Sequence, residues 1–327
     1  MSGQLKIAPV AGGLAGARGI AWAFRVHPDQ RDIALSYTAR MRTIPGDARE
    51  LRIWIPLAQT SAEQEILQRT VHAPVPYTIE REPVYGNEIL SLLLTPPFPS
   101  GLEVSVEYRA LLRGGGALTY TERQPSPRQL QRYQSAEGLV VVDDEVRARA
   151  QLATAGGLTL EERALGIYDH VIQRMAYDKS TPGWGRGDTR RACELGKGNC
   201  TDFHSLFISM ARAARIPARF KIGVVVPNEP AGTIPGYHCW AEFYEEGRGW
   251  VSVDASEAWK HPERSAHYFG SWDANRFLIS VGRHLELVPP QRGTPVNIFL
   301  YPYVEVDGHA VEGVETDVRF RDLQQVT

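Results

Sequence analysis

The sequence predicts an all-β sandwich followed by an α+β domain in which helices pack on one side of an antiparallel sheet. Three observations predict it. Short alternating apolar runs, with no helical stretch among them, fill residues 20–113. The glycine triplet Gly114, Gly115 and Gly116 then opens a polar, proline-bearing segment. Beyond that segment, helical apolar stripes give way to a series of strand-like runs. A length of 327 residues suits two domains, at about 150 residues for each.

Residues 1–19 read as a loose segment of glycine and alanine. The runs IAWAFRV, DIALSYTAR, ELRIWIPL, EQEILQRTVH, EILSLLLT and LEVSVEYRALL follow, each bounded by Pro, Gly, Asp or Asn. They place a β-sandwich at 20–113. Residues 114–138 read as an interdomain linker. In the second half, Thr159-Leu160-Glu161-Glu162 is a capping-box pattern. Apolar residues then recur at helical spacing, which predicts a helix over 160–176. A second stripe, Phe203, Leu206, Phe207, Met210, Ala211 and Ala214, is closed by Pro217. Strands are predicted at FKIGVVV, YHCWAEFY, GWVSVD, RFLISV, VNIFLYPYVEV and VETDVRF. The second domain is placed at 139–290. The strands at 291–327 are expected to complete or extend it.

Charge and composition narrow the function. With 36 basic and 38 acidic residues the net charge is −2, without the basic surplus that a general nucleic-acid binder needs. No apolar run reaches the ~18 residues of a membrane span. Three cysteines are too few, and odd in number, for a disulfide framework. Arg18 interrupts the N-terminal apolar run, so it makes a poor secretory leader. The default compartment is the cytoplasm, or an exported one if a leader has been trimmed.

Cys200 falls at the first turn of the second predicted helix, where unpaired N–H groups and the helix dipole stabilise a thiolate. Gly196 and Gly198 precede it and give the backbone freedom to turn. His238 lies on the strand YHCWAEFY, and Asp254 ends the strand GWVSVD. His238, Trp240 and Glu242 share one strand face, opposite Cys239, Ala241 and Phe243, and the apolar face is expected to point to the core. Two hairpin registers are open: Tyr244 opposite Trp250, or Phe243 opposite Gly249. Either keeps His238 and Asp254 on one face and within reach. A carboxylate there holds the imidazole in one tautomer. The chemistry implied is nucleophilic acyl transfer through a thioester. The Cys200 N–H is the natural first oxyanion donor, and the indole N–H of Trp184 is a candidate second one.

The segments GKGNCTDFHSLFISMARAARIPARF, GYHCWAEFY and GWVSVDASEAW resemble the transglutaminase-like cysteine enzymes, in their bacterial branch. The matching parts are Gly-x-Cys-x-Asp opening a helix, an Arg-Ala-x-x-Ile-Pro-Ala-Arg tail, His-x-Trp on a strand and Gly-Trp-x-x-x-Asp after a turn. The resemblance covers 140–290. It implies a papain-like α+β core with Cys200, His238 and Asp254 as a triad. No calcium loop of Asp-x-Asp-x-Asp-Gly type occurs, so no metal and no cofactor are expected.

The neighbouring residues divide between cleft and core. His204, four residues after Cys200, tunes the thiol or touches substrate, or is a structural histidine. Tyr237 and Trp240 are further cleft candidates. Cys239 reads as core, Asp202 as a helix-start residue, and Arg276, Arg283 and His284 as solvated surface. Cys193, Cys200, His204, His238 and Cys239 lack zinc-site spacing. The expected activity is cysteine-dependent acyl transfer on protein or peptide amides. Peptidase or amidase hydrolysis is preferred slightly over glutamine–amine transamidation. A binding or assembly module with a vestigial triad is the alternative. Oligomeric state is left open.

Overall fold

A computed structural model describes residues 30–115 and 124–323. The expected segments at 1–19 and 20–26 lie outside the described residues. The first six strands are β1 (Gln30–Met41), β2 (Leu51–Leu57), β3 (Gln64–His72), β4 (Thr78–Arg81), β5 (Glu88–Leu94) and β6 (Leu102–Arg113). Alternation drives them. In β6, Leu102, Val104, Val106, Tyr108, Ala110 and Leu112 are buried, while Glu103, Glu107 and Arg109 are exposed. Only β4 has no counterpart among the predicted runs; all four of its residues are exposed, so it carries no apolar alternation.

Three short helices and three longer ones follow, interleaved with strands. They are α1 (Pro127–Arg132), α2 (Asp144–Thr154), α3 (Leu160–Arg174), β7 (Ala176–Tyr177), α4 (Thr189–Leu195), β8 (Lys197–Gly198) and α5 (Cys200–Ala213). Next come β9 (Ala218–Val225), β10 (Ala231–Thr233), β11 (His238–Glu245), β12 (Gly249–Val253), α6 (Ala255–Lys260) and β13 (Arg276–Val281). The chain ends with β14 (Tyr303–Val306), β15 (His309–Ala310) and β16 (Val314–Asp322).

The central sheet of the second domain runs β12-β11-β9-β13, antiparallel throughout. Helix α5 packs on β11 and β9, with the other helices around it. That much follows the expectation of helices on one side of an antiparallel sheet. The predicted helix at 160–176 is α3, begun by the capping box of Thr159 and Glu162. The register pairs Tyr244 with Trp250, the first of the two alternatives.

The last strands correct the domain assignment. They do not extend the second domain. β16 pairs along β1, and β14 pairs with β2. The sandwich thus consists of two five-stranded sheets, β10-β16-β1-β6-β3 and β15-β14-β2-β5-β4. Without β16, the Ile33–Met41 edge of β1 would present unpaired backbone groups. The run at 296–306 also forms less strand than expected: only Tyr303–Val306 joins a ladder, and Val296 makes a single bridge to Leu285.

The described part of the expected linker is not loose either. Ser126 caps α1 reciprocally with Gln129. Tyr133 is buried between Tyr85 of the sandwich and Trp250 of β12, with ring centroids at 5.7 and 5.1 Å. Its carbonyl accepts the Ala218 N–H at 2.9 Å. The segment straps the two domains together.

The second face of the central sheet is the largest departure from expectation. From His238 to Tyr244, β11 is buried on both faces. The sandwich covers the polar side. Gln64, at the start of β3, accepts the Leu278 N–H at 2.7 Å and donates to the Leu278 carbonyl at 2.8 Å. Asn87 does the same for Val281, at 2.8 Å in both directions. Two side-chain amides thereby satisfy the free edge of β13 as a further strand would. Phe320 of β16 is buried against β10. Phe320→Ala should cost about 3–5 kcal/mol in urea unfolding, whereas Leu323→Ala, at a more exposed position after β16, should cost far less.

Candidate functional site

The local sequence fixes where α5 begins. Asn199 is its N-cap: the side-chain oxygen accepts the Thr201 N–H at 2.9 Å, and Asp202 returns a bond to the Asn199 N–H at 3.0 Å. This reciprocal cap leaves Cys200 as the first helical residue, at the positive end of the dipole. Asp202 is wholly buried and has a second task. It accepts the N–H groups of Gly185 at 2.7 Å and Gly187 at 3.0 Å, tying the glycine-rich loop to the helix start. Both glycines have positive φ, +78° and +62°. A Cβ on Gly187 would sit 2.5 Å from Ser205 Oγ, so the loop approaches closer than any other residue allows.

Arg283 completes this clamp. It donates to the Gly187 carbonyl at 2.8 Å, to the Arg186 carbonyl at 2.8 Å and to Ser205. Expected at the surface, it is buried, as is Arg276, while His284 is exposed. A charged residue in sequence gives no sign of a partner brought in by the fold.

His238 and Asp254 meet across the β11–β12 hairpin. His238 Nε2 lies 2.6 Å from Asp254 Oδ2. Asp254 is completely buried and heavily bonded. It accepts from Arg276 Nη2 at 2.6 Å, from Ser256 Oγ at 3.0 Å and from the Glu257 N–H at 3.0 Å, the last making it the N-cap of α6. With Nε2 committed to Asp254, the ring nitrogen left for sulfur is Nδ1.

The electrostatics of the three groups agree. For Asp254, burial alone would raise the carboxyl pKa, but the His238 and Arg276 charges hold it well below the usual range. For His238, burial alone would lower the pKa; the Asp254 charge and hydrogen bond, reinforced by Cys200, instead raise it to about 10. For Cys200, a hydrogen bond from the Cys239 thiol and then the bond and charge of His238 outweigh burial and put the thiol well below its ordinary value. All three directions favour the charged forms, biasing the pair toward a thiolate beside an imidazolium.

Two neighbours act from behind. His204 Nε2 lies 3.1 Å from the Ala255 N–H and 3.5 Å from Asp254 Oδ1. Its Nδ1 faces the Cys239 sulfur at 3.7 Å. Burial and the adjacent Cys200 push the Cys239 thiol well up, so it stays protonated and can donate. Cys239 is core, as expected, but it also touches the thiol of interest; in the sequence it was indistinguishable from a packing residue.

The remaining candidates fall in different places. Tyr237 is half-buried, and its hydroxyl accepts from Asn199 Nδ2 at 2.7 Å, beside the start of α5. His204 and Trp240 are both wholly buried, so neither is placed to touch substrate directly. Trp240 instead packs behind His238, with rings 6.1 Å apart and 27° from parallel. Trp184 rides on the glycine-rich loop, 38 % exposed, with Lys179 Nζ 5.7 Å from its ring centroid. Tyr177 is close enough for the Cys200 charge to add to burial in raising its phenol. No cluster of metal-ligating side chains occurs among the described residues, and no helix there is long and apolar enough to cross a membrane.

Residues 147–255 match the transglutaminase-like superfamily model, a segment that contains Cys200, His238 and Asp254. An "Uncharacterized protein" of Haemophilus influenzae is 35% identical over 175 residues, 43% of this chain and 47% of that one. The match thus spans about half the length of that relative. Among solved structures, a "putative cysteine protease" from Cytophaga hutchinsonii superposes with a TM-score of 0.57 at 15% identity, over 91% of this chain and 93% of the other. The likeness therefore extends through the β domain as well as the core. The periplasmic domain of TgpA from Pseudomonas aeruginosa is a more distant neighbour, with a TM-score of 0.38 at 17% identity, over 72% of this chain and 90% of that one.

The three cysteines should separate cleanly by reactivity. Burial raises the Cys193 thiol to about 11, and Cys239 lies well above its ordinary value, while Cys200 lies well below. Iodoacetamide mapping by mass spectrometry at pH 7 should label Cys200 at least ~100-fold faster than the other two, a gap of two pKa units or more in thiolate fraction.

Proposed function

We propose that the transglutaminase-like domain of this chain is a working cysteine enzyme, with Cys200 as nucleophile, His238 as general acid and base, and Asp254 as the group that orients and charges the imidazole. The observation that carries this reading is the 2.6 Å contact of His238 Nε2 with a buried, fourfold-bonded Asp254. It leaves the other ring nitrogen for a thiol already biased to the thiolate.

The reaction is acyl transfer on a protein or peptide amide. The Cys200 thiolate attacks the amide carbonyl, forming a C–S bond and a tetrahedral oxyanion. The Cys200 N–H heads α5, where helix geometry gives it no intrahelical acceptor, so it is the natural first donor to that charge. The Trp184 indole is the candidate second donor. As the C–N bond breaks, His238 gives its proton to the departing amine or ammonia and a thioester remains. A water molecule, or an acceptor amine, then attacks the thioester. His238 takes the proton from the attacking group, and the thiolate leaves in its original state. The likeness to a structure named as a cysteine protease supports hydrolysis ahead of transamidation.

The test is mass spectrometry of peptide–amine mixtures with wild type and Cys200→Ala. Wild type should release ammonia or cleave peptide bonds; Cys200→Ala should lower the rate by ~10⁴ or more, as loss of a nucleophile does. Amine incorporation identifies a transferase, and cleavage or plain deamidation a hydrolase. Equal activity of the two proteins would overturn the proposal.

A further inference from the structure

Beneath the candidate site, four charged side chains are buried between the two domains. Lys221 of β9 donates to Glu63 at 2.9 and 3.0 Å and to Glu242 at 2.8 Å. Arg219 donates to Glu242 at 2.7 Å. All four are at most 6 % exposed. Three of them, Arg219, Lys221 and Glu242, lie on the face of the central sheet that also carries His238 and Trp240. Glu63 does not. It comes from the connection between β2 and β3 of the sandwich, where Ser61 Oγ also bonds it at 2.9 Å.

Glu63 makes one more contact, and it is aimed at the site. The Trp240 indole Nε1 donates to Glu63 Oε1 at 3.1 Å. On its faces the same indole meets the His238 ring, 6.1 Å away and nearly parallel, and the Arg276 guanidinium, 4.9 Å from its centroid. His238 and Arg276 are also the two donors that converge on Asp254 Oδ2, each at 2.6 Å. Trp240 is therefore the floor under both partners of the carboxylate, and Glu63 fixes the in-plane orientation of that floor. The carboxylate is well suited to the task. Although burial alone would raise its pKa, Lys221 lowers it to about 2, so it remains an acceptor at any working pH.

We infer that Glu63 is a positioning residue for His238, supplied by the sandwich domain and acting through Trp240. The sandwich is thus a structural part of the site. Resting on the reading of Cys200 and His238 given above, this inference adds what holds the imidazole in place. A ring free to rotate would let the His238 plane drift from the sulfur. Lys221 would also keep a surplus of positive charge nearby, which disfavours the imidazolium. Both effects weaken the thiolate in the same direction.

The test measures Cys200 alkylation by iodoacetamide against pH in wild type, Glu63→Gln, Trp240→Phe and the double variant. Glu63→Gln keeps the shape and removes the charge. Trp240→Phe keeps every charge and removes the indole N–H, so it carries the test if the first variant fails to fold. Each single variant should move the acid limb of Cys200 labelling up by about one pH unit, slowing it by ~10-fold at pH values below the wild-type midpoint. Wild-type and variant rates should converge once the pH exceeds both midpoints. The double variant should be no slower than the slower single, since both break one contact. Folded variants with an unshifted limb would overturn the inference, even if their thermal stability falls. Slow labelling of Cys200 in wild type would instead count against the nucleophile assignment itself, so the two failures are distinguishable.

Discussion

The Asp254 carboxylate is the constraint on which the rest depends. A fully buried anion is costly unless every lone pair is occupied and opposite charge lies close. Here the imidazole, a guanidinium, a hydroxyl and a helix N–H all converge on it. Those four donors come from three places in the chain, His238, Arg276 and the adjacent pair Ser256 and Glu257, so their convergence fixes the β11–β12 hairpin, the start of α6 and the first residue of β13 together. A charged carboxylate favours a charged imidazole, and a charged imidazole favours the thiolate. The sequence of causes runs outward from one buried oxygen pair to the sulfur at the head of α5.

The central sheet serves two masters. Its apolar face packs on α5 and so places Cys200. Its polar face carries His238 and is roofed by the sandwich, through the Gln64 and Asn87 amides along β13 and the Glu63–Lys221–Glu242 cluster beneath Trp240. Replacing such a buried charge cluster by apolar residues is often neutral for stability. What apolar residues do not supply is a directional acceptor for one indole N–H. The C-terminal strands matter for the same reason. By pairing with β1 and β2, they fold the sandwich that delivers Glu63 to the interface.

The parts legible in the sequence are those determined by near neighbours. The start of α5 was readable because glycines lie just before Cys200 and an apolar stripe just after it. His238 and Asp254 could be put on one face because strand parity survives either hairpin register. The parts not legible depend on partners far along the chain. VETDVRF has the alternation of a strand, but nothing in it names β1, nearly 300 residues upstream, as its neighbour. Arg276 and Arg283 have the appearance of surface charges until the fold supplies Asp254 and the glycine loop. Trp240 shared a face with His238 and so suggested the cleft; only the sandwich packed on that face turns it into a buried support.

The most direct measurement of the central claim is the protonation state of one ring. Nitrogen-15 NMR of histidine-labelled protein reads it for His238. The account predicts a cationic imidazole at pH 7.5, losing its proton only as pH rises toward about 10, with a markedly lower midpoint in Cys200→Ala. A neutral His238 at pH 7.5, titrating near the ordinary histidine value and indifferent to the removal of the sulfur, would contradict it.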